Sequence, residues 1–417
     1  MTPLAAHWIS EHAAYTREIE TPTRTRNLAE TERLATSLLE DCGITRTADV
    51  TGLDRVGIDV FHTVRPLAMP GLNTVTSGKG VTRKAARVSA IMEAIERFWC
   101  EPRLAASEDF HRSSYADLLA NGEPALDPRR LIPRASSDWT PSSVITWYPA
   151  RELSTDTVVL IPALAVFTPF THENGLFSSN TIGLAIGNSP KEALLHGLLE
   201  IVEHDSTAFG ETLRLGASLR MDRLPSAIGA LVEKFTRAGV ELDLFAYVTE
   251  LGITTVHATT KDRVHEDGML FNGGVGCHLD PQIAATRAIT EVAQSRLNVL
   301  AGAREDFDQQ AYRRHASYNE VLTRYERWRL GRETAVFDTL PSLATGNIDG
   351  DLTLIIERLG RSGIGPIFCV ELAPEGYPFS VTKVVVPGME VFHEDRERRG
   401  TRINAAMQQA SGELTAL

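Results

Sequence analysis

The sequence predicts an α+β fold (mixed α/β), with large sheets packed by long helices, and three observations predict it. Runs rich in β-branched and aromatic residues alternate along the chain with amphipathic segments of helical period. Pro, Gly and capping residues punctuate those runs, yet no low-complexity linker divides the chain. The 417 residues are 43% hydrophobic and 23% charged, enough apolar material for one large core or two smaller ones and too much for a disordered chain.

Taken in order, 27–41 has the period of an amphipathic helix, and GLDRVGIDVFHTVRP at 52–66 is a strand closed by Pro66. A loop rich in Gly, Thr and Ser precedes a helix from about Lys84 to Cys100, which Pro102 ends. HRSSYADLLANG holds a short helix, and SSVITWYPA and DTVVLIPALAVF are strands. SSNTIGLAIGNSP is a strand and turn feeding a second helix, with Ser189 as N-cap and Pro190 at its first position. LDLFAYVTELGITTVHATT is two strands, GMLFNGGVGCHL a strand ending in a glycine-rich bend, and Asp280-Pro281 starts a third helix. SYNEVLTRYERWRL is helical, PIFCVEL and SVTKVVVPG are strands, and a charged tail follows Phe392. No internal repeat is legible. The expected organisation is an N-terminal helix and strand (1–66) integrated with a main domain (67–395), then a charged tail (396–417).

Charge and composition exclude several function classes. Against 54 acidic residues the chain has 42 basic ones, a net charge of −12, which argues against sequence-independent nucleic-acid binding. The N-terminal stretch MTPLAAHWISEHAAYTREIE has no apolar core of signal-peptide type, and no run is long enough to span a bilayer, so the expected location is the cytoplasm and no membrane partner is expected. Cys42, Cys100, Cys277 and Cys369 lie far apart without a CxxC pair, which suggests neither a zinc knuckle nor a disulfide framework.

The chemistry concentrates on three helical segments. In SAIMEAIER, Ser89, Glu93 and Glu96 step by four and three residues, about 400° and then about 300° around the axis, and so form one stripe among core-type residues. In NSPKEALLHGLLEIVEHD, Asn188 stands at the entrance, with Glu192, Glu200 and Glu203 on one side. In RAITEVAQSR, Arg287, Glu291 and Gln294 repeat the spacing, while Arg296 points elsewhere. A single ExxE pair is ordinarily a solvated face; three such helices with acids on core ground demand cations. Hard carboxylate oxygens suit Mg2+, which combines a few carboxylates with water and phosphate oxygens. Asn188, Ser89, nearby arginines and the backbone N–H groups of loops at Gly78–Gly80 and Gly273–Gly276 are candidate phosphate contacts.

Other readings stay open at this level. SGKG at 77–80 lacks Walker spacing, and Lys79 either reaches a phosphate or sits on a flexible turn. Arg97 either touches a ligand or pairs with Glu93 or Glu101. His196, Glu200 and His204 recur by fours, but the two histidines drift apart by roughly 80° and HExxH is absent, which argues against zinc on that trio. Cys277, after a glycine-rich bend, is either an activated thiol or a buried structural one.

SxxxExxER at Ser89–Arg97, GLAxGNSxxEALxxGLLEIVEHD at Gly183–Asp205 and RAxTExAQSRL at Arg287–Leu297 resemble the three signature segments of the YcaO superfamily. GLDRVGIDVFHTVRP, SGKG, GAREDF at 302–307 and TKVVVPGMEVF at 382–392 are similar to further segments, so the resemblance covers roughly 48–392. It implies a YcaO-type fold around a Mg2+-nucleotide site in 67–395. The implied activity is ATP- and Mg2+-dependent activation of a backbone amide in a ribosomally made precursor peptide. The product is an azoline where a neighbouring Cys, Ser or Thr attacks, a thioamide where sulfide attacks, and a macrocyclic amidine where a backbone amine attacks. A catalytically inactive nucleotide-binding accessory protein is the alternative of another class. Carried over residue by residue, Glu93 and Glu200 resemble one Mg2+-binding group and Glu96, Glu192 and Glu203 the other. Lys79, Ser89, Arg97, Asn188, Arg287, Gln294 and Arg296 resemble nucleotide or phosphate contacts, and no catalytic base is assigned. His204 stands where many relatives have Arg, and the chain ends SGELTAL instead of in the proline-rich tail of many azoline-forming members. VVVPGMEVF resembles members that work with a TfuA-like partner, some of which make thioamides. No leader-recognition domain of winged-helix type is legible, so the protein either grips the precursor itself or borrows a separate recognition protein, and a homodimer is expected.

Overall fold

The computed structural model describes residues 15, 23–170, 175–305, 313, 315, 317–330 and 332–415. Most of the N-terminal stretch and the last two residues of GAREDF lie outside the described residues. The chain runs from helix α1 (Leu28–Ser37) into strands β1 (Arg46–Asp49), β2 (Asp59–Val64) and β3 (Val75–Gly80), then helix α2 (Arg83–Trp99). Strand β4 (His111–Ser114), short helix α3 (Tyr115–Ala120), β5 (Val144–Glu152), β6 (Val158–Pro162) and β7 (Leu184–Gly187) lead to the long α4 (Pro190–Thr212). Next come β8 (Ala217–Leu219), α5 (Ser226–Arg237), β9 (Val240–Val248), β10 (Thr254–Asp262), β11 (Gly273–His278) and α6 (Pro281–Leu300). Helix α7 (Tyr318–Arg329), β12 (Thr334–Ala335), α8 (Ile348–Arg361), β13 (Phe368–Glu371), β14 (Ser380–Val385) and α9 (Thr401–Thr415) complete the described chain.

Three sheets result. Their strand orders are β1-β2-β3, β4-β5-β13-β14-β7 with β6 on β5, and β11-β10-β9-β8-β12. The strands β3, β7 and β11 are each an edge, and each feeds directly into one of the polar helices α2, α4 and α6. The three helix starts share one device. Thr82, Ser189 and Asp280 are extended N-caps whose side chains accept from the N–H groups of Ala85, Glu192 and Gln282, and proline follows the second and third. Each helix then has its own core. Ile91 and Ile95 of α2 pack with Ala35, Leu38 and Ile186; Leu194, Leu198 and Val202 of α4 with Leu279, Leu352 and Ile355; Ile289 and Val292 of α6 with Ile228, Phe235 and Leu244. Helix α4 lies at the centre and is buried over most of its circumference.

The structure differs from the sequence-based expectation in four places. Residues 77–80 and 273–276 are not loops or a bend but strand, pairing with β2 and β10. Their glycines serve close helix–strand approach. A Cβ on Gly78 would lie 1.9 Å from Ala90 N, and one on Gly276 2.3 Å from Ala284 O. The tail after residue 396 is fastened down, because α9 places Arg402 against Asp205 of α4 and the Ile403 N–H donates to Glu390 at 2.9 Å. Helices α5 and α8 were not read in the sequence. The strand–cap–helix unit is itself a repeat: Glu93, Glu200 and Glu291 follow the strand ends Gly80, Gly187 and His278 at one common offset. Small residues at matching places, Ala86, Ala193 and Ala284, then Ala90, Gly197 and Ala288, let each helix settle on its strand.

Gly78→Ala is expected to cost about 3 kcal/mol or to prevent soluble expression, because the obstacle is backbone. Gly229→Ala in α5, where nothing lies within 4 Å, is expected to be neutral or to stabilise by about 0.5–1 kcal/mol. Chemical denaturation of both variants checks the contrast.

Candidate functional site

An edge strand inside a protein leaves backbone groups without a ladder partner, and they must be satisfied by something else. Here the last residue of each polar stripe meets that need on the strand of the next unit. Glu96 Oε2 on α2 accepts from Ile186 N of β7 at 3.0 Å, and Glu203 Oε2 on α4 accepts from Cys277 N of β11 at 2.9 Å. Gln294 Nε2 on α6 donates to Ser77 O of β3 at 2.7 Å, which closes the ring. Glu291 Oε1 also accepts from Val275 N at 3.1 Å. The geometry explains the residue types: N–H partners call for a carboxylate, whereas the carbonyl of Ser77 calls for the amide donor of Gln294.

The acids three residues earlier, Glu93, Glu200 and Glu291, lie beside these ties. Arg97 donates to Glu93 Oε1 at 2.7 Å and lies 4.0 Å from Glu96, so its partners are Glu93 and Glu96, while Glu101 belongs to Arg65 and Arg103. Lys79, on β3 and not on a flexible turn, pairs with Glu291. Burial, reinforced by the charge of Glu93, pushes Glu96 well above the usual carboxylate range. Burial raises Glu200 to about 8, with Glu203 and Glu93 adding to it against Arg97 and Lys383. Glu203 is pushed up to about 7 by burial and Glu291, and burial lowers the Lys383 amine to about 8. Glu291 alone is held low: burial opposes its charge, but Lys79 and the Val275 N–H outweigh it. The acids therefore exceed the cations that the chain supplies.

Glu192 has other neighbours. Arg24 Nη1 at 3.0 Å, Thr25 N at 2.9 Å, Thr25 Oγ1 at 2.8 Å and Asn188 Nδ2 at 3.0 Å fill both of its oxygens. Burial opposes its charge, yet Arg24 and the Thr25 donors hold its carboxyl below the usual range. The Glu192 carboxylate thus anchors the segment at Arg24 and Thr25, away from the ties made by Glu96 and Glu203. Asn188 is engaged likewise, accepting from Thr31 Oγ1 at 2.9 Å. Arg296 is corrected: its fully buried guanidinium is bound to both oxygens of Asp54 and to Asp262, a structural cluster joining α6 to the turn before β2 and the end of β10. Ser89 lies half-buried one turn before Glu93, and Arg287 holds the matching place on α6. Among the described residues the buried Nε of Arg287 has no hydrogen-bond partner. Cys277 is a buried structural thiol, pushed up to about 12 by its burial.

The residues fit Mg2+ with a polyphosphate. Buried acids that repel one another and are pushed toward protonation are the donor set of a hard cation, and the uncommitted Nε of Arg287 suits a phosphate oxygen. Sequence reasoning had not assigned Glu291 to the acid cluster, though its ExxQ spacing repeats the two ExxE pairs. It also missed Lys383 and the Arg24–Thr25 segment, which no local spacing connects to the motifs.

Two outcomes are expected. Without Mg2+, Glu200→Gln should become progressively more stable than the wild type as pH rises from 6.5 to 8. A carboxyl raised to about 8 contributes stability below its unfolded value and loses it as pH rises through 8, at up to about 1.4 kcal/mol per pH unit. Added Mg2+ should remove the difference, as read by thermal melts. Gln294→Glu, which turns a carboxylate toward the Ser77 carbonyl, should cost about 1–3 kcal/mol.

Comparison with known proteins gives the family and the fold. A family model described as YcaO cyclodehydratase, ATP- and Mg2+-binding, matches residues 77–390. An uncharacterised protein of Methanothermobacter thermautotrophicus is 40% identical over 373 residues, 88% of this chain and 94% of its own. An uncharacterised protein from the tfuA 3′ region of Rhizobium leguminosarum bv. trifolii is 33% identical over 376 residues, 85% of each. The structure of YcaO from Methanopyrus kandleri bound with AMPPCP and Mg2+ superimposes with a TM-score of 0.74 at 26% identity, covering 91% of this chain and 95% of that one. With its three interlocked strand–helix units and acid cluster inside the matched span, the chain belongs to the YcaO cyclodehydratase family of ATP- and Mg2+-binding proteins.

Proposed function

We propose that this protein uses ATP to activate a backbone amide of a ribosomally made peptide by phosphorylating the amide oxygen. The observation that carries the reading is the cluster of buried Glu96 with half-buried Glu93, Glu200, Glu203 and Glu291, whose charge outruns Arg97, Lys79 and Lys383. Glu96 and Glu203 each keep one oxygen on a strand N–H, which fixes their positions before any ligand arrives. Mg2+ held there offsets negative charge on the phosphoryl group in transfer. Arg287, with Nε uncommitted, is assigned to a phosphate oxygen, while Lys79 orients Glu291. Glu192 joins the ligand set when Arg24 and Thr25 release it, and Asn188 when Thr31 and Glu192 do.

An amide carbonyl is a poor electrophile with a poor leaving group. In the proposed sequence a nucleophile adds to the carbonyl carbon, the resulting oxyanion takes the γ-phosphoryl group of ATP, and ADP departs. Expulsion of phosphate then restores the double bond. A neighbouring side-chain thiol or hydroxyl gives an azoline; hydrosulfide gives a thioamide. The relative from a tfuA region favours hydrosulfide and a TfuA-like partner for this chain.

Incubation with ATP, Mg2+ and candidate precursor peptides encoded beside its gene tests the reading. Phosphate release should accompany either loss of about 18 Da from the peptide, for cyclisation, or gain of about 16 Da, for oxygen-to-sulfur exchange. Phosphate release without a peptide mass change, or neither, would count for an accessory protein. Glu96→Gln and Glu203→Gln are expected to reduce turnover at least about 100-fold while keeping the fold, since an amide oxygen still accepts the strand N–H.

A further inference from the structure

We infer that His204, His393 and Glu394 form a second cation site, built for a divalent transition metal of the zinc class and separate from the acid cluster. His204 comes from α4, and His393 and Glu394 from the turn after Phe392. One ligand atom of each, Nδ1 of His204, Nε2 of His393 and Oε1 of Glu394, gathers within 4.8 Å of the others. The pairwise distances carry the argument. Nδ1 of His204 lies 2.9 Å from Nε2 of His393 and 3.7 Å from Oε1 of Glu394, and the third edge is 3.4 Å. Two ligands at about 2.0–2.1 Å from a tetrahedral ion are separated by about 3.4 Å, so the triangle has the size of three corners of such a shell.

The donor chemistry selects the ion. Two imidazoles and one carboxylate leave a fourth position open, as in catalytic zinc sites, whereas Mg2+ takes hard oxygen ligands. On the far edge of the His204 ring, Nε2 lies 3.9 Å from Glu200 Oε1, the side from which a carboxylate orients a metal-bound histidine. Adjacent ligands His393 and Glu394 would chelate, and the ion would clip the C-terminal segment to α4. Exposure supports exchange, because the Glu394 side chain is 56% accessible while His393 and His204 are 10% and 19%. Without an ion, the same atoms make only a hydrogen bond between two imidazoles with a carboxylate alongside. The inference stands apart from amide activation and does not depend on it.

Titration of metal-stripped full-length protein with Co2+ in excess Mg2+ tests it. The expected result is one equivalent bound with the visible absorption of four-coordinate Co2+, displaced by Zn2+ and not by Mg2+. Glu394→Gln and His393→Asn should each weaken Co2+ binding at least about 10-fold, whereas Glu96→Gln in the acid cluster should leave the spectrum unchanged. Because Glu394 is exposed, its variant is expected to fold; matching thermal melts would establish that. Absence of the four-coordinate spectrum, its displacement by Mg2+, or its persistence in Glu394→Gln and His393→Asn would overturn the inference. Loss of the spectrum in Glu96→Gln, placing the ion in the acid cluster, would overturn it too.

Discussion

Three sheet edges end inside this molecule, and an interior edge is tolerable only if its outward backbone groups are satisfied. A fourth sheet or a wall of water would do it; here three side chains do. Glu96, Glu203 and Gln294 each leave their own strand–helix unit and bond to the edge strand of the next, so α2 holds β7, α4 holds β11 and α6 holds β3. Because the ring closes, none of the three units can shift without breaking a buried hydrogen bond on either side. The glycines and alanines at the strand–helix crossings follow from the same requirement, since the helices must lie low enough for a side chain to reach the neighbouring edge.

That solution creates the electrostatic problem the site then uses. A carboxylate accepting from one backbone N–H is reasonably placed when charged, but each tie has another acid three residues earlier on the same helix face. Glu93, Glu200 and Glu291 therefore converge with Glu96 and Glu203, and the protein answers with Arg97, Lys79 and Lys383. The compensation is uneven. Lys79 and a strand N–H keep Glu291 charged, whereas burial and mutual repulsion push Glu96, Glu200 and Glu203 toward protonation. Affinity for a divalent cation is thus a by-product of how the sheets are joined, and neutralising an acid relieves repulsion even as it removes a ligand.

How much of this was legible depended on the range of the signal. Periodicity and capping exposed α2, α4 and α6, because both act within a turn or two of helix, and the stripes of Glu93, Glu96, Glu200 and Glu203 followed from spacing alone. The α+β class was legible for the same reason. Residues 77–80 and 273–276 were misread because Gly suggests a turn locally, and only the approach of Ala90 N and Ala284 O shows why a strand needs it. Arg296 illustrates the opposite error: it belongs to a recognisable motif, yet Asp54 and Asp262 claim it from segments 242 and 34 residues away. The partners of Glu192 at Arg24 and Thr25 were not legible, because they lie 168 and 167 residues away. The meeting of His204 with His393, 189 residues on, could not be seen in a sequence without the fold.

The repeat also separates what holds the fold from what distinguishes the sites. Positions that agree across the units, the caps Thr82, Ser189 and Asp280, the alanines 86, 193 and 284, and the acids 93, 200 and 291, serve packing and the common charge. Positions that disagree sit at the two ends of each stripe. One turn before the first acid stand Ser89, His196 and Arg287; directly after the tie stand Arg97, His204 and Ser295. A site of three identical units would have no means to tell one end of an asymmetric ligand from another, so discrimination has to come from positions where the units differ, the tie residues Glu96, Glu203 and Gln294 among them. Arg97 is bound to the acid of its own helix, whereas Arg287 keeps Nε uncommitted. His204 instead faces out of the stripe to meet the C-terminal segment. The central helix, α4, is where Arg24 and Thr25 from near one terminus and His393 from near the other converge. Contacts from near both ends of the chain thereby meet on the one helix that bears Glu200 and Glu203.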